Sequence, residues 1–218
     1  MKKNDIYKKL VLGLLFIFPL LVYLFFASGK NNFAKLPILT KEVKEISTNN
    51  QITRLKDRIT ILGYWGGSLE NKKAEALNLN EKIYKRFYQF EDFQFVFLVD
   101  SSRVKQVGEL KNSLKQGAGT DLSRWNFIHA NSEYIKTHFS SLKTPLSLEE
   151  DYSSPFVFII DKDLNLRGRN DDEDLGTLYG FDARSVAQIN KKMIDDVKVI
   201  LAEYRLALKK NGITRKQL

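Results

Sequence analysis

Residues 59–73 read ITILGYWGGSLENKK, an apolar run that stops at two glycines and passes into a polar stretch able to start a helix. Arg58 to Trp65 is rich in β-branched and aromatic residues, and Thr60-Ile61-Leu62 is apolar enough for a central, buried strand. Beyond the glycines, Ala74, Leu77, Tyr84, Phe87 and Phe90 recur at spacings of three or seven, which predicts a helix over 71–90. Ser68, Glu70 and Asn71 offer helix-start chemistry. Phe93 to Val99 (FQFVFLV) reads as a second interior strand, closed by Asp100-Ser101-Ser102, so the order is that of a βαβ unit. Downstream, the pattern predicts a helix from Val104 to Leu114, a break at Gly117-Ala118-Gly119, a short strand from Trp125 to His129 and a helix from Ser132 to Phe139. Phe156 to Ile160 and Leu164 to Arg169 flank Asp161-Lys162-Asp163, which is hairpin composition. A last helix is expected over 183–209, with Val186, Ile189, Met193, Val197, Ile200, Tyr204 and Leu208 on one face.

Upstream, Leu10 to Gly29 (LVLGLLFIFPLLVYLFFASG) is 20 residues without a charge, bounded by Lys8, Lys9 and Lys30. As a helix it measures about 30 Å, enough to cross a hydrocarbon core. Four lysines against one aspartate in the first nine residues favour a cytoplasmic amino terminus. The run is longer than a signal-peptide core, and Phe25-Phe26-Ala27-Ser28-Gly29 is a poor cleavage site, so the expectation is an uncleaved single-pass anchor. The expected layout is a cytoplasmic terminus at 1–9, an anchor at 10–29, a stalk at 30–50, a globular domain at 51–210 and a tail at 211–218. The domain would then lie on the far side of the cytoplasmic membrane.

The 218 residues include 35 Lys+Arg, 26 Asp+Glu and no cysteine. Cysteine-free composition excludes disulfides, thiolate metal sites, thiol nucleophiles and dithiol exchange. The net charge is +9, of which +4 sits in residues 1–30, and the remaining basic residues alternate with acids along predicted helices. That pattern is a solvated face and not a nucleic-acid footprint.

Without the anchor, the order β, α, β, α, β-hairpin, α resembles the thioredoxin-like order. The segment ITILGYWGGSLENKK resembles the strand-to-helix turn that carries the cysteines in the SCO/SenC family of membrane-anchored thioredoxin-like proteins. YSSPFVFIIDKDLNLRGR (152–169) is similar to that family's second signature, in which a histidine precedes a strand ending in an Asp-x-Asp/Gly turn. The resemblance covers roughly residues 35–208. Laid on this chain, it puts the two cysteines of Cys-x-x-x-Cys at Gly67 and Asn71 and the copper-binding histidine at Ser153. All three ligands are missing, and glycine, asparagine and serine are poor substitutes for copper's usual thiolate, thioether and imidazole ligands. The resemblance also implies that Pro155 is a cis-proline facing the vestigial site. Copper delivery and disulfide exchange therefore do not carry over.

Other candidate chemistry is sparse. Gly66-Gly67 reads as a turn needing unusual dihedrals before it reads as an anion cradle. His129 and His138 lie on different predicted elements, far from a metal-ligand spacing. Asp171, Asp172, Glu173 and Asp174 form an acidic run that does not match the EF-hand spacing. It reads as a solvated loop partly neutralised by Arg167 and Arg169, and otherwise as a weak site for a hard cation or a basic partner. Tyr64, Trp65, Tyr152 and Phe181 are candidates for an aromatic interaction surface around the former active-site turn, although core packing explains aromatics equally well.

The expectation is thus a membrane-anchored α/β protein with a thioredoxin-like domain, no catalytic residues and no cofactor, acting by binding a protein partner. The resemblance implies a setting in assembly of a respiratory or copper oxidase. An envelope scaffold unrelated to oxidases and a cysteine-free metal enzyme using the acidic loop stay open as alternatives.

Overall fold

A computed structural model describes residues 3–28, 35–48 and 51–210. The chain divides into two units, 1–34 and 35–218. The first holds helix α1 (Lys3–Ser28), with Pro19 inside it. Its stretch Tyr7–Phe25 is long and apolar enough to cross a membrane.

The second unit is built on a sheet whose strands run in the order β1 (Ile38–Thr40), β8 (Leu166–Arg167), β7 (Ser153–Ile160), β4 (Ile59–Trp65), β5 (Phe93–Asp100) and β6 (Trp125–Ala130). A further strand, β11 (Phe181–Asp182), pairs with the middle of β7, while β8 pairs with its last residues. Strands β4, β5 and β6 are mutually parallel and β7 is antiparallel to β4. One end of the sheet therefore gathers the carboxyl ends of three strands and the amino end of the fourth. Outside the sheet lie two hairpins, β2 (Ile46–Thr48) with β3 (Gln51–Thr53) and β9 (Arg169–Asp172) with β10 (Gly176–Leu178).

Strand side chains alternate between faces, and both faces are covered. Ile61, Trp65, Phe95, Phe97, Trp125, Phe127, Val157 and Ile159 point to one side. There they meet helix α2 (Lys73–Leu79), a π-helical turn (Asn80–Tyr84), α3 (Lys85–Phe87), α4 (Val104–Ala118), and the final helical stretch of α6 (Val186–Gln188), a second π-turn (Ile189–Met193) and α7 (Ile194–Lys210). Leu62, Tyr64, Val96, Leu98, Ile128, Phe158 and Ile160 point to the other side, against α5 (Ser132–Ser140) and the segment before β2. Asn131 starts α5 by accepting the Tyr134 N–H, and Gly119 ends α4 in the left-handed conformation. Gly63 has no side chain because the Phe97 ring, stacked on Trp65 at 3.9 Å, fills that place.

Two expectations need correction. The long helix buries Ala76, Leu79, Ile83, Tyr84 and Phe87, while Ala74, Leu77 and Phe90 face solvent. The π-turn adds a residue to one turn and carries Leu77 off the face that Tyr84 occupies. The helix start is not made by Ser68: residue 72 precedes the helix without a side-chain cap.

The stretch expected as a stalk is part of the domain from Leu36 onward. Leu36, Val43 and Ile46 are buried, β1 extends the sheet at β8, and the Gly168 N–H donates to the Pro37 carbonyl. Its backbone is tied down at several points. Arg167 Nε donates to the Leu36 carbonyl, Val43 N–H to the Leu164 carbonyl, and the Ser47 N–H to Tyr134 Oη. Pro37 stops a helix here, as its sequence predicts, and the result is a paired strand instead of a free linker.

One of these fastenings runs through His138, which is 2% exposed. Its Nε2 lies 2.9 Å from the Lys44 carbonyl, an acceptor, so Nε2 carries the proton and Nδ1 accepts from Tyr64 Oη at 2.8 Å. Burial pushes the imidazole down to a pKa of about 4. The unfolded chain takes up a proton near pH 6.5 and the folded one only near 4, so this group's contribution is complete above pH 6.5 and is lost as pH falls to about 4. The loss is about 3 kcal/mol. Denaturant melts of full-length protein in detergent at pH 7 and pH 4.5 should show it, and His138→Gln should flatten that pH dependence; an unchanged slope in the variant would assign the acid loss elsewhere.

Candidate functional site

The end of the sheet where β4 stops and β7 begins holds the positions matched to the family's ligands. Trp65 pairs in register with Ser153, so the two-glycine turn and the start of β7 are side by side. Gly66 is pressed against backbone: a Cβ there would lie 2.6 Å from the Asp151 carbonyl oxygen and 2.8 Å from that of Tyr152. Gly67 is covered by a side chain, since its Cβ would fall 1.6 Å from Asp151 Oδ2. The glycine requirement is thus close approach. Unusual dihedrals, the expectation from sequence, are not the reason, because Gly119 and Gly176 are the glycines with positive φ among the described residues.

The loop that presses on this turn is stapled locally. The Ser153 N–H donates to Asp151 Oδ1 at 3.0 Å, Ser153 Oγ donates to Glu149 Oε2 at 3.0 Å, and the Glu149 N–H donates to the Ser153 carbonyl at 2.8 Å. Tyr152, at the crest, is held at φ 60°, a conformation uncommon for a non-glycine residue. Pro155 is buried, and its carbonyl accepts from the Ala183 N–H. The Ser154–Pro155 peptide is trans, which overturns the cis bond implied by the resemblance. Gly67, Ser153 and Pro155 therefore lie at one end of the sheet, with Ser153 wholly buried. Asn71 is exposed on the turn before α2.

The aromatic surface does not form. Tyr64, Trp65 and Phe181 are each at most 1% exposed, and Tyr64 and Trp65 face opposite layers of the core. Period-two alternation separates neighbours on a strand, so consecutive aromatics cannot share a patch. Tyr152 alone of the four reaches solvent, at 37%.

The acidic run is a hairpin, and two of its four acids are paired by a residue that sequence reading missed. Lys192 Nζ bonds Asp172 and Asp174, each at 2.7 Å. Burial pushes the Asp172 carboxyl up, but Lys192 and the N–H groups of Asp174 and Leu175 outweigh it and hold the pKa below its usual value. Arg167 and Arg169, expected to neutralise this loop, are engaged elsewhere, with Asp161 and Glu203 and with Asp196. Asp171 and Glu173 point to solvent, and among the described residues no group of three acids or histidines is placed to hold a metal ion.

Beside the glycine turn the structure assembles charges that no motif announced. Lys72 and Glu75, both nearly buried, form an ion pair at 3.1 Å on the first turn of α2. Arg184 pairs with Asp182 at 2.8 Å in the turn before α6, which the Asn78 side chain ties to α2 through the Ala183 carbonyl. The two pairs share one field: Glu75 feels Lys72, Arg184 and Asp182, and Arg184 feels Glu75 and Glu149. Burial raises the Glu75 pKa, with Lys72 opposing. The signal available in sequence was a charged residue at position 75, beside the apolar Ala76 and Leu79.

Comparison with solved structures follows this geometry. BsSco, a member of the Sco family of cytochrome c oxidase assembly proteins, superposes with a TM-score of 0.52 at 12% identity, over 77% of this chain and 98% of that one. The fold is Sco-like. A SCO1/SenC family lipoprotein from Bacillus anthracis str. Ames covers 79% of this chain and 99% of its own, at 14% identity and a TM-score of 0.49. No protein-family model and no curated protein matches the sequence. On this Sco-like frame the chain carries no cysteine at any of its 218 positions.

Proposed function

We propose that this chain is a membrane-anchored, redox-inactive protein of Sco-like fold that acts by binding a protein partner in the assembly of a respiratory oxidase. The observation that carries the reading is the Gly67 position. Where the resemblance puts the first cysteine there is a glycine, and the Asp151 carboxylate fills the volume its side chain would need. A carboxylate cannot exchange disulfides, and the other two positions of the copper set hold Asn71 and Ser153. In this reading helix α1 is a single-pass anchor in the cytoplasmic membrane, with the amino terminus inside and the domain outside.

Full-length protein, solubilised in mild detergent from its native membranes, should bring down terminal-oxidase subunits or their assembly factors. Purified protein should neither reduce a model disulfide nor retain stoichiometric copper(I). Recovery of a different envelope complex would overturn the oxidase setting, and measurable thiol-disulfide turnover or retained copper would overturn redox inactivity.

A further inference from the structure

The exposed acids at the glycine turn would carry little weight alone. Glu149 and Glu150 are exposed, Asp151 lies on Gly67, and Glu70 opens the turn before α2. An independent observation lies behind them. Glu75 is 4% exposed, Lys72 bonds its Oε1, and its Oε2 is buried with no hydrogen-bond donor. Buried carboxylate oxygens are normally satisfied, because leaving one unmatched sacrifices its hydration without return. After Lys72, the next cation near Glu75 is Arg184, whose turn the Asn78 side chain ties to α2 at the Ala183 carbonyl and whose charge reaches both Glu75 and Glu149. Yet Arg184 spends its hydrogen bonds on Asp182, two residues away, and its side chain is 57% exposed. The pair is bidentate, yet it is local and its arginine is more than half exposed, so an incoming cation can compete for the same carboxylate.

We propose that this end of the domain is a docking site for a basic side chain, arginine or lysine, of a protein partner, and that Arg184 is the resident cation it displaces. The incoming group sits among Glu149, Asp182 and Glu75, supplying the donor that Glu75 Oε2 lacks. A guanidinium suits the place best, since its fork can serve two carboxylates at once. Tyr152, exposed on the adjoining loop, is the aromatic on hand for the apolar stem of the same side chain. The inference rests on the binding function proposed above and names the chemistry of the partner.

The test uses full-length protein in detergent micelles, titrated with the blocked tripeptide Gly-Arg-Gly and with its neutral citrulline counterpart, and followed by the NMR shifts of the Tyr152 and Arg184 amides. The arginine peptide should saturate and bind at least fivefold more tightly than the citrulline one. Glu149→Gln should weaken it at least threefold and Glu75→Gln at least as much; Glu149→Gln keeps the test alive if the buried substitution fails to fold. Arg184→Ala should tighten binding at least threefold, whereas Arg54→Ala, which removes an exposed cation at the opposite end of β4, should leave it unchanged. The proposal falls if citrulline binds equally, if Arg184→Ala has no effect, or if Asp171→Asn with Glu173→Gln on the hairpin weakens binding as much as Glu149→Gln. Displacement of the peptide by millimolar magnesium would make the occupant a metal ion and overturn it too. None of these failures touches the co-purification result, so the two readings fail separately.

Discussion

Arg167→Ala should destabilise the domain by about 3–5 kcal/mol, the largest single effect expected of a charged residue here. The Arg167 side chain is 4% exposed and bonds Asp161 at 2.9 Å and Glu203 at 2.6 Å, while its Nε donates to the Leu36 carbonyl. Asp161 is 1% exposed and also accepts from the N–H groups of Asp163 and Asn165. Removing the arginine leaves that carboxylate charged, buried and without its counter-ion, and it unfastens residues 36–48 at their first buried residue, Leu36. Asp161→Asn keeps an oxygen for the turn N–H groups and removes the charge, so the double variant should be less destabilised than the sum of the singles by about 1–3 kcal/mol. Denaturant melts of the four proteins give the cycle directly. Additive losses would mean that the pair is not coupled, and that the Leu36 contact accounts for the cost.

Gly66→Ala and Gly67→Ala should separate sharply although the residues are neighbours. At Gly66 a methyl group meets two backbone carbonyl oxygens that the stapled loop cannot withdraw, and a loss of about 2–3 kcal/mol is expected. At Gly67 the obstacle is the end of the Asp151 side chain, which can swing into solvent at the cost of its bond to the Ser153 N–H, about 1 kcal/mol. In an Asp151→Ala background most of the Gly67→Ala penalty should go, leaving a 3.2 Å contact with the Cβ of residue 151, while the Gly66→Ala penalty should persist. Thermal melts decide it; equal penalties at both glycines would show that Asp151 is as immovable as the backbone.

The strands and most helices were legible because each repeats a simple period. FQFVFLV and FVFII are apolar enough to be interior strands in nearly any context, and both are, in β5 and β7. The helix phases were less legible, because a π-turn is a tertiary compromise that no periodicity announces. The packing of residues 36–48, expected as a stalk, was missed for a related reason. The strands there are three residues long, too short for alternation to register; β1 exists because β8 offers a partner more than 120 residues away, β2 pairs with its neighbour β3, and Lys44 between them is held by His138 of α5.

The candidate site divides in the same way. Missing cysteines exclude thiol chemistry by composition alone, and the glycine pair at the end of a strand marks a place where something comes close. What comes close, the Asp151 carboxylate, is 84 positions away and could not be read from either segment. Tyr64 and Trp65 show the opposite failure: both looked available, and the pleat sends one into each layer of the core.

The sequence by itself therefore determined the classes of chemistry open to this protein, the apolar helix ahead of the domain, and the strand and helix order of a thioredoxin-like sheet, because these follow from side-chain chemistry and local period. Only the tertiary structure decided which charges meet. Lys192 with Asp172, Arg169 with Asp196 and Arg167 with Glu203 are 20 or more residues apart, and they meet because packing across elements brings each charge that leaves water to a partner.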